Sequence, residues 1–429
     1  MPEALSGGAA LAAWRLLAGG AAAGARLGLP WLHLRGRASA HRALHERLAL
    51  PPLDDLPPEC FWLHGASVGE IRSLGPLTTE LATRNRPLLL TSTTLTGREA
   101  AEAGGHIARL APWDAAGPLR RFLDAARPHL HLVVETELWP LRLETLFRRS
   151  IPALLVAARL SPERWSQYWR WRGLYRRVLG RFERIFPAGA ADRDRLLELG
   201  VPRDRLGPTG QLKWDAAPEP PAGEQLASLA AELGLDRRRP WIVMGSVHPG
   251  ETAALARSLT LSGAGPSGWG VLVAPRHPER FDTVAAEIES LDPPTGLHRL
   301  SAGPIPAACR WVLVDRLGLL ARLYPLARAC FVGGTLAPIG GHSPLEAAAA
   351  GCPQVVGPHD GHQRPLTEPL EQAGALVRAP DAEAVARALL HWLEDGEARR
   401  RASAAALGVV ASHRGFSATV LAAIEELGR

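Results

Sequence analysis

The chain has 429 residues, more than one hydrophobic core ordinarily serves, so two domains are the first expectation. Its formal net charge of +6 is carried almost wholly by arginine, because Lys213 is the one lysine among 49 basic residues. Four cysteines, Cys60, Cys309, Cys330 and Cys352, stand singly among apolar neighbours without C-x-x-C spacing, which argues against a disulfide framework and suits buried thiols in a reducing compartment.

Residues 1–34 are apolar and rich in small residues, but Arg15 and Arg26 interrupt them. No run reaches the roughly 20 residues of a spanning helix, and the basic region that opens a signal peptide is missing. Two expectations stay open: a membrane-associating segment in the interface, its arginines reaching toward headgroups, or a helix packed on its own domain.

Further on, short apolar runs alternate with helical patterns. The first set is FWLHG, RPLLLTSTT, HIARLAP, HLHLVVETE, IPALLVAAR and RIFPAG, between residues 61 and 189. A proline-rich, charged stretch over 215–240 reads as a linker. The second set is WIVMGSVH, WGVLVAPRH, CRWVLVDR, ACFVGGT, PQVVGPH and GALVRAP, between 241 and 380. Strands spaced by helices imply βαβ units and parallel sheets. The expected fold is α/β, with two doubly wound domains, 35–214 and 241–429, and a cleft between them. Neither G-x-G-x-x-G after the early strands nor G-x-x-x-x-G-K-[ST] occurs, so the dinucleotide and P-loop signatures are missing.

Within FWLHGASVGE, Glu70 stands where a strand hands over to a helix whose apolar stripe is Ile71, Leu74, Leu77 and Leu81. That edge is where open α/β sheets bind ligands. Ser67-x-x-Glu70 is also a capping box, so Glu70 is either a site carboxylate or a cap. Farther along, GGTLAPIGGHSPLEAAAAG places Gly340 and Gly341 in a tight turn, Ser343 as a cap, Pro344 at the first helical position and Leu345 to Ala350 in a helix. Free amides there suit a phosphate, and Glu346 suits either ribose hydroxyls or the helix dipole. His342, His359 and His362 gather nearby, but without an H-x-x-x-H or Asp-x-Asp set they read as hydrogen-bonding groups and not as metal ligands. Residues 164–184 interleave Trp165, Tyr168, Trp169, Trp171 and Tyr175 with arginines. The mixture could serve nucleic acid or a membrane surface, the neighbouring motifs and not the mixture itself pointing to the membrane, and the alternative is a helix whose tryptophans face the core.

Taken together, HGASVGE (64–70), TSTTLTG (91–97), ETELWP (135–140), ARLS (158–161), GQLKWD (210–215), APRHPERF (274–281) and GGHSPLEAAA (340–349) resemble the Kdo transferases, the 3-deoxy-D-manno-octulosonic acid transferases of lipopolysaccharide assembly. The resemblance implies a GT-B fold, CMP-Kdo as donor, the tetraacylated lipid A precursor as acceptor, inversion at the anomeric carbon, no required metal or other cofactor, and a place on the cytoplasmic face of the inner membrane. It carries the catalytic base onto Glu70 and the pair assisting the transition state onto Glu137 and Lys213. Glu135 and Glu137 would share a strand face if the strand runs that far; the alternative for Glu137 is a surface acid paired with Arg142 or Arg164. On the donor side it carries over Arg276 and His277 for phosphate or cytidine, and Ser343, Pro344, Leu345 and Glu346 for phosphate and ribose. Leu317, Gly318 and Leu319 stand where many members read M-G-E, and Ser343 replaces the family's usual asparagine. A GT-B transferase using a UDP-sugar, or a silent protein binding glycolipid or nucleotide, are the other readings.

Overall fold

A computed structural model describes residues 7–84, 86–221, 223–261, 268–291, 293 and 295–427. Residues 1–6 of the expected N-terminal segment therefore lie outside the described residues. The chain divides into two compact units, one of Met1–Ala216 with His413–Arg429 and the other of Ala217–Ser412.

In the first unit six parallel strands, β1 (Phe61–His64), β2 (Leu88–Ser92), β3 (Ile107–Leu110), β4 (Leu130–Val134), β5 (Ala153–Ala158) and β6 (Arg184–Pro187), form a sheet in the order β3-β2-β1-β4-β5-β6. Alternation buries both faces. Phe61 and Leu63 pack with Ile71, Leu74, Leu77 and Leu81, while Trp62 packs with Phe122, Leu143 and Leu146 on the opposite face. The stripe over Ile71 to Leu81 is carried by two helices, Val68–Ser73 and Gly75–Ala82, which meet at Leu74. The order reverses between β1 and β4, so the loops after these strands flank the sheet's switch point.

The helix Gly7–Leu34 divides its surface between two environments. Leu11, Ala18, Ala22 and Leu29 pack against Leu48, Ala115, Leu119 and Leu141. Leu17, Leu27 and Leu34 are 72%, 82% and 84% exposed. The aromatic and arginine-rich stretch is divided likewise. Tyr168 is buried, Trp169 and Trp171 are exposed, and Arg177 and Arg181 are engaged by Glu144.

The second unit holds β7 (Trp241–Val247), β8 (Gly270–Pro275), β9 (Leu297–Arg299), β10 (Trp311–Leu313), β11 (Ala329–Val332), β12 (Gln354–Val356) and β13 (Leu376–Arg378). All pairings are parallel, in the order β13-β12-β11-β7-β8-β10-β9, with Cys330 opposite Val243 and Trp241 opposite Gly270. Here the switch point lies between β7 and β11.

Two boundaries differ from the sequence expectation. Most of the expected linker belongs to the second unit, where the helix Gly223–Leu233 buries Leu229, Ala230 and Leu233. The expected second domain does not run to the end of the chain. The helix Phe416–Leu427 returns to the first unit and places Phe416, Val420 and Ile424 in a core with Leu77, Leu81 and Leu212. Asp215 fastens that return by accepting hydrogen bonds from Gly415 N at 2.6 Å and Ser417 N at 2.5 Å.

Candidate active site

At the first switch point, Gly65 lets the turn after β1 close onto Glu70, where a Cβ would lie 3.0 Å from the Cβ of Glu70. The capping box forms in altered shape. Ser67 Oγ accepts weakly from Glu70 N at 3.4 Å and donates to Glu70 Oε1 at 2.8 Å, while Glu70 Oε2 accepts from Ala66 N at 2.7 Å. Glu70 is 8% exposed. Burial, followed by the charge of Glu135, pushes its carboxyl up to about 7, against the pull of Ala66, Ser67 and Lys213. The capping carboxylate and the raised carboxyl are thus the same side chain.

The expectation that Glu135 and Glu137 share a strand face is corrected: β4 ends at Val134 and Glu135 is left-handed, with φ +58°. That turn sends Glu135 to Lys213, whose Nζ lies 2.5 Å from Oε1. Lys213 pairs with Glu135 and not with Glu137. It rides on the short helix Leu212–Asp215, fixed by buried Leu212 and Trp214 on either side. Glu137 accepts from Trp139 Nε1 at 2.8 Å and Thr93 Oγ1 at 3.4 Å. Its carboxylate lies 3.9 Å from His64 Nε2, beyond hydrogen-bond length but close enough for the ring to be the largest influence holding it below the usual carboxylate range. Burial and then the charge of Arg142 hold His64 down to about 4. Arg142 is itself buried, lowered to about 10 by that burial, and stacked over Trp62 and Trp139 at 5.3 and 5.9 Å, so it faces Glu137 through charge and makes no surface ion pair.

At the second switch point Glu251, missed in the sequence reading, organises two loops. Its carboxylate is 1% exposed and accepts from five amides: His248 at 2.9 Å, Gly334 at 2.8, Thr335 at 2.9, Leu336 at 2.9 and Ala337 at 3.2. His248 meets His342 through Nε2 atoms 2.7 Å apart, and His277 stands edge-on to His248. Burial leads the causes that hold His342 down to about 4, with His248, Arg276 and His277 adding to it. Arg276, His277 and Ser343 are exposed around this cluster. Gly340 and Gly341 both have positive φ, and a Cβ on Gly340 would collide with His362 at 2.2 Å.

The helix that follows is shorter than expected, Leu345–Ala349, with Pro344 outside it at the cap and a long 3.4 Å bond from Leu345 N to Ser343 Oγ. One turn gives little dipole, so attraction for an anion here falls to Arg276, the histidines and local amides. Glu346 lies on that turn and Leu345 is buried. Leu317, Gly318 and Leu319 follow β10 on the same sheet edge, with Leu317 exposed, Gly318 left-handed and Leu319 buried. No hydrogen bond or ring contact joins them to the histidines among the described residues. No three His, Cys, Asp or Glu side chains there converge as metal ligands.

Residues 42–216 match the family model "3-Deoxy-D-manno-octulosonic-acid transferase (kdotransferase)", and residues 320–408 match "Glycosyl transferases group 1". A 3-deoxy-D-manno-octulosonic acid transferase of Bordetella pertussis is 33% identical over 85% of this chain and 86% of its own length. That of Haemophilus influenzae is 31% identical over 84% and 85%. A solved glycosyltransferase of Rickettsia africae, 11% identical, shares the fold with a TM-score of 0.59 over 86% of this chain and 98% of its own. Two parallel α/β units of this winding, with a glycosyltransferase neighbour in structure, make the architecture GT-B. The chain belongs to the Kdo transferase family of glycosyltransferases.

Proposed function

We propose that this protein transfers Kdo from CMP-Kdo to a hydroxyl of the tetraacylated lipid A precursor, with inversion and without a metal, at the cytoplasmic face of the inner membrane. The observation that carries the reading is Glu70, buried at the first switch point and raised to about 7. A carboxyl there is ionised in part at neutral pH and still basic enough to take a proton from a sugar hydroxyl. The hydroxyl oxygen forms the new bond to the anomeric carbon from one side as the bond to the CMP phosphate breaks on the other. Its proton passes to Glu70 and the electron pair leaves on CMP. Lys213, held by Glu135, offers a cation to the donor's carboxylate or the departing phosphate. Arg276, His277, Ser343, Pro344, Leu345 and Glu346 hold the donor nucleotide, with the backbone at Leu317, Gly318 and Leu319 in support.

Membrane association is supported by the exposed leucines of Gly7–Leu34 and by exposed Trp169 and Trp171, with Arg172 5.3 Å over the Trp169 ring.

The test incubates purified protein with CMP-Kdo and the tetraacylated precursor, alone and as Glu70→Ala. Transfer by the parent and its loss in the variant are expected. Absence of transfer where a known Kdo transferase works rejects the substrates; full activity of Glu70→Ala rejects the base. Transfer from a UDP-sugar would instead favour the other donor class.

A further inference from the structure

His248, just past β7, and His342, ahead of the helix Leu345–Ala349, are joined by a single short contact. Their Nε2 atoms are 2.7 Å apart and their rings are stacked at 5.0 Å with 12° between planes. Two ring nitrogens at that distance hold one hydrogen between them. With both rings neutral, one presents Nε2–H and the other a lone pair, and the second ring carries its hydrogen on Nδ1. One further proton fits, on the remaining bare Nδ1. A second would put two hydrogens into the 2.7 Å contact and break it. The pair therefore has a capacity of one.

Its surroundings set when that capacity is used. Glu251 faces it from the start of the helix after β7, and Arg276, His277 and Arg280 face it from the segment after β8. Burial, with the charge of Arg276 behind it, keeps both rings below the ordinary histidine range. Glu251 is the opposing charge, and its oxygens are committed to five amides. A phosphate arriving among Arg276, His277 and Ser343 would set negative charge against the arginines and make a charged imidazole favourable.

Resting on the donor site proposed above, we infer that the His248–His342 pair takes up one proton from solvent when the donor's phosphate binds and releases it when CMP departs. The added charge is then present while the bond to phosphate breaks, and absent from the site before the anion arrives. The two histidines act on the leaving group through the charge that they share.

The test is calorimetric titration of CMP, and of cytidine as the phosphate-free control, into the full chain at pH 7.5 in two buffers of different ionisation heat. At that pH the CMP phosphate, whose second pKa is about 6, is already a dianion. Net proton uptake with CMP and none with cytidine is expected. His248→Gln and His342→Gln should each lower the uptake, weaken CMP about tenfold, and leave cytidine binding as a check on folding. Ionisation of the phosphate is common to all three proteins and cancels in the comparison. Binding of CMP to the parent without uptake, or equal uptake in both variants, overturns the inference and leaves the donor site standing. Failure of the parent to bind CMP overturns both.

Discussion

Glu70 and Glu251 hold similar places in two sheets of similar winding, each in the first turn of the helix that follows the first strand of its unit, in GASVGE and SVHPGE. One receives a single amide and a hydroxyl, faces Glu135, and is pushed up to about 7. The other receives five amides from two loops and is sealed from solvent. The number of donors aimed at the carboxylate separates the two. The carboxylate of Glu251 is committed to the loops it binds, whereas that of Glu70, buried beside a like charge with fewer donors, is raised.

Exchanging each acid for its amide gives the sharpest break. Glu70→Gln should lower kcat by about 10²- to 10⁴-fold and leave CMP affinity as it was, because the proton acceptor is lost and the residues proposed to hold the nucleotide are untouched. Glu251→Gln should act on structure, since an amide nitrogen placed among five N–H donors leaves some unpaired. Amide exchange over residues 333–337 should quicken by about two orders of magnitude, equivalent to about 3 kcal/mol. If the rate fell with Glu251→Gln and the loop loosened with Glu70→Gln, the assignment of the two acids would be inverted.

Much of this was legible in the sequence for reasons that are local. Strands buried on both faces read as continuous apolar runs, and the turn FWLHGASVGE locates Glu70. Where tertiary placement decides, the reading fails. β9 is three half-buried residues, LHR, at a sheet edge, with no apolar run to mark it. Glu135 looked like a strand residue, yet its left-handed backbone turns it to Lys213. Glu251 and His248 went unread although SVHPGE echoes GASVGE, because four of the five partners of Glu251 lie more than 80 residues away in the glycine-rich loop. The helix Phe416–Leu427 carries an apolar stripe, and a stripe does not say which unit it will join.

Lys213 sharpens the comparison from the cationic side. Arg for Lys keeps the charge, but a planar fork cannot occupy the 2.5 Å contact with Glu135 as a compact ammonium does. Lys213→Arg should reduce kcat about tenfold; an unimpaired rate would mean that only charge is needed there.

The pH profile tests the like charge itself. A base must be ionised to act, so kcat/KM should rise with pH through about 7. Glu135→Gln removes the second-largest cause of the raised value and frees Lys213 to pull in the same direction, so the acidic limb should move down by about one pH unit. The same shift has a cost in stability: the proton on Glu70 favours the folded chain below 4.5, and that contribution is lost as pH rises through about 7. A limb that stays in place in Glu135→Gln would assign the raised value to burial by itself.

The smallest effect concerns how each site is propped. Glu251 supports its loops directly, whereas the loop carrying Glu137 is supported from a distance. Pro140 opens the helix Pro140–Arg148 without an N–H, and the next two amides, Leu141 at 3.1 Å and Arg142 at 2.7 Å, donate to buried Asp114. Asp114 also accepts from Trp14 Nε1 at 2.6 Å, a residue of the N-terminal helix 100 positions away. Burial raises the Asp114 carboxyl and the Trp14 bond opposes it, so removing that donor leaves the cap easier to protonate. Trp14→Phe keeps an aromatic ring and deletes the bond. It should cost about 1 kcal/mol in unfolding free energy and less than about threefold in kcat. A loss of turnover as deep as that of Glu70→Gln would mean that the N-terminal helix positions the reacting groups as well as covering the core of the first unit.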